Sequence, residues 1–237
     1  RRGSHRSRQV EHKSGGAQQR TDFTRESDPY KNPFTMIEVK NVFKSFNGEF
    51  VLNDVSVLFE AGKCNMIIGR SGSGKTVLLK SIVGLLEIDR GEIWYDDRLF
   101  SKLILNERQE IRQKMGMLFQ GGALFDSLTV EQNVMFPLNM FTNQSYREKL
   151  KRVNFCLERV RIERANSMLP AELSGGMRKR VAIARAIALN PKYLFCDEPN
   201  SGLDPETGIV IDKLIKEITV DFKTLSLIHI SEPTRPY

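Results

Sequence analysis

"CNMIIGRSGSGKTVLLKSIVGLL", residues 64–86, decides the fold. Cys64 to Gly69 form a short apolar run that reads as a buried strand. Residues 69–76, "GRSGSGKT", fit the spacing G-x-x-x-x-G-K-(S/T) of a phosphate-binding loop. Leu78, Leu79, Ile82, Val83 and Leu86 then recur on one face of a helix. Strand, glycine-rich turn and helix, in that order, are the context such a loop needs. Gly72 and Gly74 let the backbone curl so that successive N–H groups turn inward toward phosphate oxygens. The helix starting near Lys75 offers its positive end to an anion. Lys75 has the reach for the outer phosphates of a nucleotide, and the Thr76 hydroxyl suits Mg2+; Gly69, Arg70, Ser71 and Ser73 complete the loop. The alternative is a glycine-rich turn with an unrelated lysine, and both flanks argue against it.

Outward from the loop the chain alternates strand and helix patterns. "MIEVKNVF" from Met36 and "NDVSVLF" (53–59) alternate like strands; "GEIWYDD" (91–97) reads as a strand ending in a turn, and "MGMLFQ" (115–120) as another. Ser145 and Glu148 stand at capping-box spacing before a helix carrying Leu150, Val153, Leu157 and Val160. "VAIARAIAL" (181–189) is apolar nearly all round, which predicts a deeply buried helix. "YLFC" (193–196) reads as a buried strand. "DPE" (204–206) supplies an Asp cap, a Pro at the first helical position and a Glu in the first turn. The helix it opens buries Ile211, Leu214, Ile215, Ile218 and Phe222. This order predicts an α/β fold with a largely parallel sheet. There is no internal repeat and no second domain of that kind. A chain of 237 residues with 40% hydrophobic content supports one sizeable core.

Two further segments carry chemistry. In "YLFCDE" (193–198) a hydrophobic strand delivers Asp197 and Glu198 to its carboxyl end, where α/β sheets bind ligands. Asp197 suits Mg2+, directly or through water, and Glu198 suits polarising an attacking water. In "LSGGMRKR" (173–180) Ser174 can cap a helix, and Gly175 and Gly176 allow close backbone approach. That makes a second anion site at a helix N-terminus. One ATP does not need two such sites from one chain.

The set "GRSGSGKT", "LFQ" (118–120), "LSGGM", "CDEP" and "SGLDP" (201–205) resembles the ATP-binding subunits of ABC transporters, in family order, over roughly residues 36–224. The resemblance implies a P-loop ATPase fold with a mostly parallel core sheet, an N-terminal antiparallel β subdomain and a helical subdomain at about 121–180. It implies ATP and Mg2+ as cofactors. Gly69 to Thr76 look like Walker A, and Asp197 with Glu198 like Walker B and its catalytic carboxylate. Gln120 looks like the Q-loop glutamine that joins the Mg2+ and water site to the membrane subunit. Ser174, Gly175, Gly176 and Met177 look like the signature loop, which grips ATP bound to the opposite protomer of a head-to-tail dimer. Asp204 looks like the D-loop aspartate that communicates across that dimer. Phe46 stands where an aromatic stacks on adenine; a core strand aromatic is the alternative. "MLFQGGALFDSLTVEQNVMFPL" (117–138) is similar to the Mla-type phospholipid transport ATPases, as is Met177 in place of the commoner glutamine. That subgroup works with an integral permease and an MCE-type lipid-binding protein. Leu124 and Phe125 are then candidates for the permease-docking surface, the alternative being ordinary core residues. Two other readings stay open: an ABC ATPase of another transporter subgroup, and a soluble ABC protein acting on ribosomes or DNA. The second fits poorly, since one cassette is present and Walker A to Walker B leaves no room for a long coiled coil.

Charge adds little to this. The formal net charge is +7, but residues 1–35 hold eight Lys/Arg against four Asp/Glu and residues 225–237 are neutral, leaving +3 for the body. That is ordinary for a globular domain and argues against a nucleic-acid partner. The "RKR" run (178–180) reads as a solvated helix face. Mean hydropathy is −0.34, with no membrane-span-length apolar run and no secretory pattern; the resemblance implies a peripheral place on the cytoplasmic face of the inner membrane. Cys64, Cys156 and Cys196 read as reduced structural thiols. Residues 1–35 are polar and precede the first methionine, Met36, and are expected to be a non-native extension. The tail "LSLIHISEPTRPY" (225–237) places His229 between two isoleucines, a little early for the family's phosphate-sensing switch histidine. It resembles a translated sequencing adapter. The expectation is a foreign tail, with the native switch histidine missing and hydrolysis correspondingly poor; "LSLIHI" can nevertheless run as a buried edge strand.

Overall fold

The computed structural model describes residues 36–231. The expected extension 1–35 and the last residues of the tail, 232–237, lie outside the described residues. The chain runs β1 (Met36–Phe46), β2 (Glu49–Glu60), β3 (Cys64–Gly69), α1 (Lys75–Ile82), β4 (Arg90–Tyr95) and β5 (Arg98–Leu99). It continues with α2 (Leu105–Arg112), β6 (Met115–Leu118), α3 (Val130–Phe141), α4 (Tyr146–Arg159) and α5 (Gly175–Ile187). The last elements are β7 (Tyr193–Asp197), α6 (Pro205–Asp221) and β8 (Leu225–Ser231).

Two sheets result. One is antiparallel in the order β2-β1-β4-β5, and the other is parallel in the order β3-β8-β7-β6. Strand alternation sends successive side chains of the parallel sheet to two cores. Tyr193, Phe195, Leu225 and Leu227 face the core built with α1 and the antiparallel sheet. Leu194, Cys196 and Ile228 face the core built by α3, α4, α5 and α6. The helix α1 is thus held between the sheets, and Tyr95 fixes its far end by donating its hydroxyl to Ile82 O at 2.8 Å. Asp96 ties one sheet to the other: it accepts from the Tyr193 hydroxyl at 2.9 Å and from the Met36 N–H at 3.0 Å. The predicted capping box at Ser145 and Glu148 forms, and "VAIARAIAL" is buried for most of its length, as its apolar circumference requires.

Three sequence expectations are corrected. "CNMIIG" is not buried on both faces: β3 is an edge strand, with Met66 50% and Ile68 59% exposed on one face and Ile67 packed on the other. "LSLIHI" is not an edge strand. It returns from α6 to lie between β3 and β7, and residues 225–228 are buried, so the folded sheet extends past residue 224 to Ser231. "RKR" is not a uniformly solvated face, because Lys179 is buried. No described helix is long and apolar enough to cross a membrane.

Candidate functional site

The loop after β3 turns on the Ser73 N–H, which donates to Arg70 O at 3.2 Å. The N-cap of α1 is Gly74, at φ +86 and without a side-chain cap. A Cβ at Gly74 would stand 2.8 Å from the Val51 carbonyl oxygen in β2, so both conformation and space require glycine there. Lys75 is buried and folds back over the loop. Its ammonium donates to Gly69 O at 2.7 Å and Arg70 O at 2.6 Å, with Ser73 Oγ at 3.5 Å. Positive charge and the uncapped N-terminus of α1, with Thr76 in its first turn, are therefore concentrated at one end of the parallel sheet. The β1–β2 hairpin that meets Gly74 through Val51 also carries Phe46, which pairs with Glu49. Phe46 is 43% exposed with the Lys44 ammonium 5.4 Å from its ring, so it is not a core aromatic.

The carboxylates arrive at the same sheet end. Asp197 stands opposite His229, and His229 opposite Ile67, two residues before Gly69. With neighbouring strands about 4.8 Å apart, this register fixes the lateral distance between the two motifs. Asp197 is buried, and its Oδ1 lies 2.7 Å from His229 Nδ1. The His229 ring is enclosed in the sheet, and its Nε2 has no hydrogen-bond partner among the described residues. Glu198 has φ +47, a left-handed conformation that costs a non-glycine residue about 1–3 kcal/mol. Its carboxylate accepts from Gln120 Nε2 at 2.8 Å, joining two residues 78 positions apart. Burial pushes the Lys179 ammonium pKa down, against the opposing pull of Glu198 and Asp197, and its Nζ donates to Glu198 O at 3.3 Å.

Ser174 caps α5 as predicted, its hydroxyl accepting the Met177 N–H at 3.2 Å. Asp204 caps α6: it accepts the Thr207 N–H at 2.9 Å and the Thr207 hydroxyl at 2.6 Å. Those bonds hold its carboxyl below the ordinary carboxylate range. A Cβ on Gly176 would lie 2.7 Å from Thr207 Cγ2, so the Ser174–Gly176 turn and the Asp204 cap are packed together through Thr207. The nearest atom to a Cβ on Gly175 belongs to Leu203 of the same segment. The structure thus joins Gln120 to Glu198 and residues 174–176 to the Asp204 cap, and it brings residues 69–76 and Asp197 to the same end of the parallel sheet.

The segment after Gln120 is held by two side chains that the sequence did not single out. Arg185 of α5 donates to Gly122 O at 3.0 Å and Ala123 O at 2.9 Å. Asn133 of α3, fully buried, accepts the Phe125 N–H at 2.9 Å and donates to the carbonyls of Phe125, Leu128 and Thr129. The signal for Arg185 and Asn133 was a polar side chain on an otherwise apolar helix face. Arg185 and Asn133 together present Phe125, 42% exposed, on a groove of about 290 Å³ lined by Phe119, Phe125, Phe136, Phe141 and Arg185. Leu124 packs against the core, so only Phe125 of the two docking candidates faces this groove.

The donor chemistry fits a nucleotide with a hard divalent cation. The Thr76 hydroxyl, Asp197 carboxylate and Gln120 side-chain oxygen are all oxygen donors of the kind Mg2+ prefers, and Gln120 uses its nitrogen on Glu198.

Comparison with known proteins agrees with this geometry. The ABC transporter family profile matches residues 52–201. The probable ribonucleotide transport ATP-binding protein mkl of Mycobacterium leprae is 40% identical over 192 residues, spanning 81% of this chain and 55% of that protein. The chain thus spans about half the length of that relative. The intermembrane phospholipid transport system ATP-binding protein MlaF of Haemophilus influenzae is 39% identical over 193 residues, spanning 81% of this chain and 73% of that protein. The dimeric structure of MJ0796, a bacterial ABC transporter cassette, superimposes with a TM-score of 0.75 at 34% identity, covering 83% of this chain and 88% of that one. Fold, loop architecture and relatives converge: the chain belongs to the ABC transporter family and holds an ABC-type ATPase domain of α/β, P-loop architecture.

Proposed function

We propose that this chain is the ATP-binding and ATP-hydrolysing subunit of a membrane ABC transporter, working on the cytoplasmic face of the inner membrane and moving phospholipid in the manner of the Mla systems. The observation that carries the hydrolytic reading is the 2.8 Å bond between Gln120 Nε2 and the Glu198 carboxylate, at the same end of the parallel sheet as the loop that enfolds Lys75. Residues 69–76 bind the phosphate chain through loop amides, Lys75 and the N-terminus of α1, and Phe46 stacks on the adenine. Thr76, Asp197 and Gln120 would hold Mg2+, which would supply positive charge against the phosphates. Glu198 takes the proton of the attacking water, and Gln120 keeps the carboxylate aimed. Ser174, Gly175 and Gly176 serve the nucleotide of a second copy in a head-to-tail dimer, with Asp204 relaying between protomers. A dimeric cassette among the structural relatives supports that partner.

The exposed phenylalanine groove beside Gln120 receives the permease, with Phe125 as its central contact. The phospholipid reading rests on the likeness of residues 117–138 and Met177 to Mla-type ATPases and on the similarity to the protein named MlaF. It brings an MCE-type lipid-binding protein as a further partner. The similarity to a protein named for ribonucleotide transport favours a second reading, the same engine with another cargo. Substituting Glu198→Gln tests the engine: ATP is retained, a closed dimer accumulates and turnover collapses. Undiminished turnover in that variant removes Glu198 from the mechanism. The cargo is tested by reconstituting the complex in phospholipid vesicles with the MCE protein. Lipid-dependent stimulation of ATPase activity supports phospholipid, and stimulation by ribonucleotides alone supports the second reading. Phe125→Ala should abolish co-purification with the permease; intact co-purification removes the docking role.

A further inference from the structure

Lys179 lies on α5, five residues after Ser174, and its side chain is buried between that helix and the turn that follows β7. Its Nζ donates to the main-chain oxygen of Glu198 at 3.3 Å. The same oxygen accepts the Ser201 N–H at 3.1 Å, the Glu198 N–H donates to His229 O at 3.0 Å, and the Glu198 carboxylate accepts from Gln120 at 2.8 Å. The Glu198 main chain is therefore gripped from α5 and from β8, and its carboxylate from the segment after β6. Such a grip is what a side-chain-bearing residue needs to stay in the left-handed region, where its φ of +47 puts it. A buried ammonium is retained in a fold only where its charge and hydrogen bonds are used.

We propose that Lys179 is a positioning residue for hydrolysis: it holds the Glu198 peptide in its left-handed turn, so that the carboxylate is aimed by the helix whose first turn is Ser174–Gly176. Because α5 is one continuous helix, a shift of that first turn carries Lys179 with it, and with it the Glu198 carbonyl. The signature turn, which serves one nucleotide, is by this route coupled to the carboxylate that serves the other. The inference rests on the reading of Glu198 as the group that activates water, and its test separates the two.

Lys179→Met keeps length and apolar bulk but removes the donor. It should lower kcat for ATP by about 10–100-fold, the scale of a small misplacement of a catalytic group, with KM for ATP within about threefold of the parent. Hydrogen exchange at the Glu198 and Ser201 amides should accelerate by about tenfold or more, while the amides of α5 keep parental rates. Lys179→Gln, which keeps an N–H donor without the charge, should recover at least half of the lost rate. Parental kcat and exchange in Lys179→Met, or a folded Lys179→Gln as slow as Lys179→Met, overturn the proposal. If Lys179→Met does not fold, Lys179→Gln carries the test alone, and a tenfold loss of kcat in that folded variant overturns it. Undiminished turnover in Glu198→Gln removes the reading of Glu198 instead, and exchange at the Glu198 and Ser201 amides still decides the contact.

Discussion

Replacing Asn133 by alanine probes how the segment after Gln120 is held. Asn133 is fully buried, and its amide group serves four backbone atoms of residues 125–129 at 2.9–3.1 Å. Two of those keep another partner: Phe125 O still accepts the Leu128 N–H, and Thr129 O still accepts the Asn133 N–H. The substitution therefore strands the Phe125 N–H and the Leu128 carbonyl. Each orphaned buried group costs about 1–3 kcal/mol, and a surface segment admits some water, so the sum is about 3 kcal/mol. For a domain of this size that lowers Tm by about 6–12 °C. Urea unfolding should show the same loss as a lower midpoint at unchanged slope. Asn133→Asp should be worse than alanine, because a carboxylate can accept from Phe125 but repels three carbonyls. The consequence extends to the groove. With its anchor gone, Phe125 loses its fixed stance against Phe136, whose ring centroid is 4.7 Å away, and permease binding should weaken. A stability loss under about 1 kcal/mol, or an aspartate variant as stable as the parent, would refute the reasoning.

Other expectations follow from the same contacts. Gly74→Ala must place a Cβ 2.8 Å from the Val51 oxygen at φ +86, so ATP binding should fall more than about tenfold in equilibrium titration, with a stability loss of about 2 kcal/mol. Gly176→Ala should leave ATP binding by the monomer intact and weaken ATP-dependent dimerisation, as read by light scattering. Adding Thr207→Ser should restore it, because serine lacks the Cγ2 that stands 2.7 Å from the new Cβ. Asp89 accepts from the Lys44 ammonium and from both the hydroxyl and N–H of Ser45, which together hold its pKa at about 2. A depressed folded pKa means stability that is present above the ordinary value of 3.8 and lost as pH falls through about 2. Asp89→Asn should flatten that part of the acid-unfolding curve, measured as the urea midpoint between about pH 4 and pH 2.

The sequence by itself determined the class of machine. Loop spacing at 69–76, the carboxylates after an apolar strand, the cap at Ser174 and the cap at Asp204 are local signals, set by backbone conformation and helix-end chemistry within a few residues. The structure gives each of them the local form predicted. Distant packing was not legible in this way. The exposure of Met66 and Ile68 depends on which strand ends at the sheet edge, and an apolar run looks the same in either place. The central position of "LSLIHI" depends on where α6 returns the chain. The burial of Lys179 in a basic run depends on the turn after β7 lying over α5. Only the tertiary structure decides that Gln120 meets Glu198 across 78 residues and that Glu198 sits in a left-handed turn. Short-range periodicity carries no record of which surface covers a given face, and the aim of a carboxylate is fixed by atoms far away in the chain.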